Sequence, residues 1–566
     1  MAATYLMLGL AVPLAVTLRS SVDIHPFWRA YSSQLTSSSI LIILERTLLL
    51  AVYATVITLV IGYPVAYAMT LLGRLGRTVC LTLLVFPYLT SFLVRTYAWI
   101  GILGVNGPIG PLMHRLGSDT VTYNYTAVGV LIVLVHVFLP VMILACYVSM
   151  SRIDPSHLRA ARTLGANHLE SFWRVYAPQT MAGVVAGSVV IFISSVGMYA
   201  TPALIGGPTQ TTLVSLVVQQ VTQSSFYGLS PAYPAALTVI LGVVVAIVLT
   251  LAARSVGLGE VLGLKSVPGR SERRPSRRSG RPERQPRRPL SFVLRRIPGS
   301  GRHHLLVGVM VLLAVVLIDG PFVYLVGMSF QPLPVLAFPS GKWSTKWYDE
   351  VLTDPSWGAA VHQSVKVALL ATIVALVIGS FLALRTSKLR PFAGATVVAT
   401  ALLPLIVPSV MYATGIFTVF TEFNLLGNWK AIALVHSVLA LPYVYVNVIN
   451  GLNAYDPRWD QAAYSLGASP WRRLRKVTMP LLRPALFTGA FLAMLLSIDE
   501  FTVTLFTAGV TFQNLPLRYW SEAQQNFDPG LAVVGVLLTG FVVAVAALAA
   551  LGLYVMRRGT KTHRSE

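Results

Sequence analysis

The chain has 566 residues, of which 55% are hydrophobic and only 11% are charged, and its mean hydropathy is +0.70. A soluble protein of this size would carry roughly a quarter charged residues. Apolar runs recur along the chain and approach the roughly 20 residues that cross a bilayer as a helix. These features exclude a soluble globular protein and predict an all-α polytopic membrane protein.

Twelve spans are predicted, six in each half of the chain. The first span is read as a retained membrane helix, because no basic segment precedes it as in a signal peptide. The predicted spans are 3–18, 42–70, 79–104, 126–148, 182–205 and 234–254, followed by 304–329, 363–385, 393–420, 431–452, 484–508 and 531–556.

The basic loops fix the predicted orientation. Arg74 and Arg77 follow span two, a second basic loop follows span four, and equivalent loops recur in the second half. Loops rich in Lys and Arg stay in the cytoplasm, and all of them fall on one side if both termini are cytoplasmic. The loop 206–233 carries no charged residue, as expected of the opposite side.

The net charge of +23 is concentrated in one segment. Thirteen Lys and Arg residues stand against two Glu between Lys265 and Arg302. Segment 257–303, rich in Arg, Pro, Ser and Gly, cannot bury an apolar core and is predicted to be a flexible cytoplasmic linker that meets anionic lipid headgroups rather than nucleic acid. It separates a first domain, 1–256, from a second domain, 304–566.

The two halves are related as a parallel tandem repeat. The segment DPSHLRAARTLGA, which starts at Asp154, and the segment DPRWDQAAYSLGA, which starts at Asp456, share seven of thirteen positions at an offset of 302 residues. Further upstream the run Leu59–Gly62 matches Leu376–Gly379 at an offset of 317. Both halves run in the same direction, so an axis along the membrane normal relates them.

Each repeated segment lies in a predicted cytoplasmic loop, 149–181 or 453–483. Asp-Pro suits the start of a helix, because Asp accepts from backbone N–H groups and Pro has none to leave unpaired. An Ala-Ala pair then leaves a surface that another protein can approach closely, and Gly165 or Gly467 suits a turn with positive φ. One copy would fit a plain surface helix, whereas two copies favour a docking element.

These loops resemble the EAA loop of ABC importer permeases, which forms the coupling helix seated on the ATPase subunit. The resemblance identifies as coupling residues Asp154, Arg159, Ala160, Ala161, Gly165, Asp456, Gln461, Ala462, Ala463 and Gly467. The family's leading Glu is replaced here by Arg159 and Gln461, so any ion pair made by that Glu is not expected.

The resemblance extends over nearly the whole chain outside the linker. Ser194–Pro208 resembles one subunit of the polyamine permeases, and Ser497–Gly509 resembles its partner subunit. This similarity implies the type I importer permease fold with two six-helix bundles, a bacterial cytoplasmic membrane location, an extracytoplasmic solute-binding protein and two copies of an ATPase subunit. It also implies spermidine, putrescine or a similar organic cation as solute, with iron(III), 2-aminoethylphosphonate or another small solute as the alternative.

The chain itself is not expected to be an enzyme. It contains no G-x-x-x-x-G-K-[ST] segment to cradle phosphates, no His-Glu-x-x-His and no Gly-x-Ser-x-Gly. We therefore expect no catalytic residue, no metal and no cofactor on this chain, with ATP and Mg²⁺ bound by the partner. Cys80 and Cys146 are read as small buried hydrophobes.

Charged residues inside predicted spans are the best candidates for a translocation path. Asp499 and Glu500 lie together in span eleven, where the first half has Gly197 and Met198. An acidic wall would suit a cationic solute, although the carboxylates could instead pair with a basic group between helices. Nearby rings that could contact ammonium groups are Tyr97, Tyr199 and Phe501.

Two other classes of function are weaker fits. An ion-coupled secondary transporter also has parallel six-span halves, but it would leave the duplicated docking loop unexplained. A membrane receptor or scaffold with a basic arm would give no uptake phenotype when deleted.

Overall fold

A computed structural model describes residues 2–26, 28–115, 117, 122–227, 230–256, 301–386, 389 and 391–562. The described residues are nearly all helical and include no strand. Residues 257–300 of the predicted linker lie outside them, whereas 301–303 begin the first helix of the second half.

The helices of the first half are α1 (Thr4–Val22), α2 (Arg29–Thr36), α3 (Ser38–Leu71), α4 (Arg74–Val85), α5 (Phe92–Leu103), α6 (Ile109–Arg115), α7 (Ala127–Met150), α8 (Pro155–Thr163), α9 (His168–Val196), α10 (Leu213–Tyr227) and α11 (Ala232–Val256). Those of the second half are α12 (Gly301–Met328), α13 (Lys346–Thr353), α14 (Pro355–Thr386), α15 (Pro391–Leu402), α16 (Ser409–Glu422), α17 (Trp429–Asn453), α18 (Arg458–Ser465), α19 (Pro470–Asp499), α20 (Thr502–Thr507), α21 (Leu515–Gln525) and α22 (Gly530–Thr562).

Ten of these helices are long and apolar enough to cross a membrane, and the number reaches twelve if each of two bent pairs forms one span. The bent pairs are α4 with α5, at 96°, and α15 with α16, at 90°. The prediction of continuous helices over 79–104 and 393–420 was wrong in this respect. Pro87 and Pro404, which are related by the offset of 317, lie in the short 3-10 turns at the breaks, where proline removes a backbone donor and crowds the preceding turn.

The fifth span of each half also differs from its prediction. Helices were predicted over 182–205 and 484–508, but α9 and α19 start much earlier and end at Val196 and Asp499. The basic stretch of each loop is therefore helical. Its first turn is stabilised by side-chain caps, because Asn167 accepts a hydrogen bond from the Glu170 N–H and Ser469 accepts one from the Arg472 N–H.

A three-helix unit forms the centre of each half: α3, α7 and α9 in the first, and α14, α17 and α19 in the second. Glycines allow these helices to approach closely. A Cβ on Gly379 would lie 3.0 Å from Val444 Cγ1, and one on Gly489 would lie 3.1 Å from Val444 Cα. Gly62 and Gly187 hold the corresponding positions around α7, so the repeat extends to the packing.

The first span of each half lies against the other half. In α1, Thr17 Oγ1 donates to the Met411 carbonyl (3.3 Å), and the Tyr412 hydroxyl donates to the Gly9 carbonyl (3.0 Å). Helix α12 makes the reciprocal contact with the first half, where the Phe322 and Phe86 ring centroids are 5.2 Å apart.

The last helices of each half also pack against the opposite half. Leu531 and Tyr519 belong to the buried core built mainly by the first half, whereas Leu213 and Leu241 belong to the core built mainly by the second half. The two halves are therefore interlocked, and the interface between them runs through the middle of the molecule.

Candidate functional site

The first repeated loop forms a short exposed helix, α8, with defined caps at both ends. The Asp154 carboxylate accepts from the Ser156 N–H (2.8 Å), and this contact holds the pKa of Asp154 below its ordinary value. At the other end, Gly165 has φ of +89°. Its N–H donates to the Arg162 carbonyl (3.0 Å), and the next N–H donates to the Ala161 carbonyl (3.1 Å), the hydrogen-bond pattern of a Schellman cap.

The second repeated loop reproduces this geometry. Asp456 accepts from the Arg458 N–H (3.0 Å) at the start of α18. Gly467 has φ of +75°, its N–H donates to the Tyr464 carbonyl (2.9 Å), and the following N–H donates to the Ala463 carbonyl (3.0 Å). The predicted start, end and turn of both helices are thus present in the structure.

Each loop exposes large apolar side chains among its polar residues. Leu164 and Leu466, each one residue before the cap glycine, are 88% and 87% exposed. Leu169 and Trp471, also related by the repeat, are exposed as well. Arg159 and Gln461 point to solvent, as do Ala160 and Ala462, while Ala161 and Ala463 are half-buried. Exposed leucines on a polar loop mark a surface that another protein covers.

A layer of aromatic rings closes the interface between the halves. Tyr199 and Phe501 stack at a centroid distance of 6.2 Å, and Trp520 lies 5.2 Å from the first ring and 5.0 Å from the second. Phe92 completes the layer at 6.2 Å from Phe501. Two of the three predicted path aromatics therefore meet at the boundary between the halves.

Asp499 contacts the opposite half. It is the last residue of α19, and it lines one small cavity together with Ser91, the residue before α5. The first turn of α5 has no side-chain cap from its own segment. The Asp499 carboxylate thus lies near the start of α5, where the helix dipole favours a negative charge.

The Glu500 carboxylate makes a different contact from that of Asp499. Its backbone is extended (φ −70°, ψ 110°), and its Oε1 accepts from the Val503 N–H (2.9 Å) at the start of α20. The expectation that Asp499 and Glu500 lie within one continuous span was wrong, because α19 ends between them. The Glu500 carboxylate instead caps α20, whereas Asp499 ends α19 and lies beside Ser91 of the opposite half.

Tyr97 is completely buried, and its hydroxyl donates to the Asp528 carbonyl (2.7 Å). Its ring contacts Tyr519 edge to face at 5.9 Å. In this conformation Tyr97 therefore joins the first half to the last helices of the second half, and its side chain is not accessible to a solute.

Two ionisable residues inside spans were missed at the sequence level. Arg95 in α5 is only 8% exposed, and its Nε and Nη1 have no hydrogen-bond partner among the described residues. Asp319 in α12 likewise has both carboxylate oxygens buried without a partner in the described part of the chain. Each is a charge within an apolar run, the signal that singled out Asp499.

The described residues contain no group of three or more His, Cys, Asp and Glu arranged to hold a metal ion.

The fold and the two coupling-type loops define a membrane-embedded transport subunit built as a tandem repeat. Residues 54–257 and 375–557 each match the family described as "Binding-protein-dependent transport system inner membrane component". The chain belongs to this family and carries its domain twice.

Several proteins similar to this chain are polyamine permeases. The chain is 34% identical over 194 residues to the spermidine/putrescine transport system permease protein PotB of Haemophilus influenzae, a match that covers 34% of this chain and 68% of the relative. It is 31% identical over 202 residues to PotB of Escherichia coli K12, covering 35% and 74% of the two chains. It is 29% identical over 262 residues to the putrescine transport system permease protein PotI of the same organism, covering 45% and 91%.

Proposed function

We propose that this chain is the complete membrane permease of an ABC importer for a polyamine or a similar small organic cation. The tandem repeat supplies both halves of the permease from one polypeptide. Similarity to spermidine and putrescine permeases supports the solute class. The location is the bacterial cytoplasmic membrane, with both termini and the linker in the cytoplasm.

The observation that carries this proposal is the duplicated coupling loop. Helices α8 and α18 have the same caps, the same left-handed glycine and the same exposed leucine, at Leu164 and Leu466. Two equal docking surfaces fit two copies of one ATPase subunit, which would bind ATP and Mg²⁺ and supply the energy. A solute-binding protein on the opposite side would deliver the solute.

The closed layer between the halves explains why a conformational change is needed for passage. The cavity beside Asp499 and Ser91 has a volume of about 20 Å³, room for about one water molecule and far too small for a diamine. Movement of α8 and α18 by the ATPase would be transmitted through α9 and α19, the helices that follow them. Rocking of the two halves would then separate the rings of Tyr199 and Phe501.

Asp499 and Glu500 supply negative charge beside this layer, and aromatic faces add cation–π attraction for ammonium groups. The alternative is an ABC importer permease of the same architecture that carries iron(III), 2-aminoethylphosphonate or another small solute. An ion-coupled secondary transporter is the weaker alternative, because it assigns no partner to α8 and α18.

Uptake by cells that lack other polyamine importers tests the solute. Radiolabelled spermidine and putrescine should accumulate when this chain is expressed with its ATPase and binding protein, and the accumulation should disappear when the ATPase is omitted. Uptake of 2-aminoethylphosphonate or iron(III) without polyamine uptake would replace the cation by the alternative solute.

A further inference from the structure

The buried guanidinium of Arg95 lies close to the carboxylate that joins the two halves. Asp499 and Ser91 line one small cavity, and Arg95 follows Ser91 by one helical turn, with its N–H bonded to the Ser91 carbonyl (3.1 Å). Positions four apart share one face of a helix, so Arg95 lies on the face of α5 that Asp499 approaches. The two charges interact electrostatically.

Both groups retain unused hydrogen-bonding capacity. Arg95 Nε and Nη1 and Asp499 Oδ1 are buried, and none of these three atoms has a partner among the described residues. A buried charge is stable only when an opposite charge or several hydrogen bonds compensate it. The guanidinium and the carboxylate are therefore opposite buried charges, and each retains hydrogen-bonding capacity.

Only one of the two repeat-related contacts between the halves contains this pair of charged residues. The position equivalent to Arg95 is Tyr412, and the position equivalent to Asp499 is Gly197, at the offsets of 317 and 302. Gly197 still approaches the equivalent break in the second half, since a Cβ there would lie 3.9 Å from Pro408 Cβ. The close approach of the helices is thus common to both sides, and the charge pair is an addition to one of them.

We propose that Arg95 is an internal counter-cation for Asp499 and determines the charge selectivity of the path. In the closed state its guanidinium neutralises the carboxylate and holds the halves together. When the halves separate, an ammonium group of the solute takes its place at Asp499. This proposal rests on the proposed function, and it makes Arg95 a specificity-determining residue that a cationic solute must displace.

The test uses the full complex of this chain, its ATPase and its binding protein in lipid nanodiscs. Basal ATPase activity without binding protein and solute uptake in proteoliposomes are measured for Arg95→Gln, Arg95→Lys, Asp499→Asn and the double variant Arg95→Gln/Asp499→Asn. Arg74→Gln, which removes an exposed charge at the first residue of α4, is the matched control.

Arg95→Gln should raise the basal ATPase rate by about fivefold or more, the lower end of typical coupling between sites, while cation uptake continues. Arg95→Lys should keep the rate low. Asp499→Asn should raise the basal rate and also reduce uptake, and the double variant should have a basal ATPase rate no higher than either single variant, because the two residues act as one pair.

A basal rate in Arg95→Gln equal to that of wild type and Arg74→Gln would overturn the proposal. Additive effects in the double variant, or equal loss of uptake in Arg95→Gln and Asp499→Asn, would overturn it as well. The basal rate requires no solute, so this result is separate from the solute assignment. Failure of polyamine-loaded binding protein to stimulate the wild-type complex would count against the proposed function instead.

Discussion

The rings of Tyr199 and Phe501 stack almost in parallel, with an interplanar angle of 6° and a centroid distance of 6.2 Å. The two residues are equivalent in the repeat, since the offset of 302 connects them. Each residue therefore meets its own counterpart, which places the axis that relates the halves between the two rings. Any route along this axis must part them.

Phe501→Ala should weaken the closed layer. Phe501 is only 1% exposed and contacts Tyr199, Phe92 and Trp520, and truncation of a buried Phe costs about 3–5 kcal/mol. Tyr199→Phe keeps the stacked ring and is the control. Thermal denaturation in detergent should show a lower midpoint for Phe501→Ala and an unchanged midpoint for Tyr199→Phe. Equal midpoints for wild type and Phe501→Ala would contradict the packing role.

The cap glycines of the coupling loops give a second prediction. Gly165→Val and Gly467→Val should each abolish uptake, because a β-branched residue is strained at a positive φ by about 1–2 kcal/mol. A Cβ at either position meets nothing within 4 Å, so the effect comes from the backbone and from docking rather than from a clash.

Asn at the same two positions tolerates the left-handed conformation and should retain most uptake if the backbone alone matters. Membrane levels of all four variants should match wild type. Full uptake by a Val variant would remove the docking role from that half.

The exchange of first spans gives a third prediction. A Cβ on Gly415 in α16 would lie only 2.0 Å from the Pro13 carbonyl oxygen in α1. Gly415→Ala should therefore push α1 away from the second half, and overpacking of this kind costs about 1–3 kcal/mol. Gly540→Ala in α22 is the matched control, because its Cβ would meet nothing within 4 Å.

The thermal midpoint should fall for Gly415→Ala and stay constant for Gly540→Ala. Crosslinking between cysteines placed at Thr17 and Met411, which now share a hydrogen bond of 3.3 Å, should decrease in the Gly415→Ala background. Unchanged crosslinking together with an unchanged midpoint would show that α1 does not pack there.

The acidic pair gives a fourth prediction. Glu500→Gln keeps an oxygen that can accept from the Val503 N–H, so the start of α20 should stay folded while one charge is lost. Asp499→Asn likewise keeps the size of the side chain and one acceptor oxygen. Uptake of a polyamine should fall in each variant and most in the double variant, with membrane levels unchanged. Uptake at the wild-type rate in the double variant would exclude a role of negative charge.

The sequence was sufficient to predict the repeat and the geometry of the coupling loops. Asp154 and Gly165 act through local backbone rules, and the same residues recur at Asp456 and Gly467. Local rules of this kind need no knowledge of distant contacts, and the structure has the predicted caps at both ends of α8 and α18.

The arrangement around Asp499 could not be predicted in this way. The composition of an apolar run does not reveal that the helix is broken within it. At the turn that contains Pro87, the start of α5 lies beside the Asp499 carboxylate of the other half. Arg95 was overlooked because basic residues were counted only in loops. The exchange of α1 and α12 depends on contacts between distant segments, such as Thr17 with Met411, which no local pattern encodes.

Co-purification of this chain with its ATPase subunit, followed by ATP hydrolysis in lipid, tests the central claim most directly. We predict that the wild-type chain retains two ATPase copies, and that binding protein loaded with polyamine stimulates hydrolysis. Leu164→Ala together with Leu466→Ala should release the ATPase, whereas Val510→Ala, at a 99% exposed site outside the coupling loops, should retain it. Purification of the wild-type chain without any nucleotide-binding partner, or equal retention by the double-leucine variant, would contradict the account.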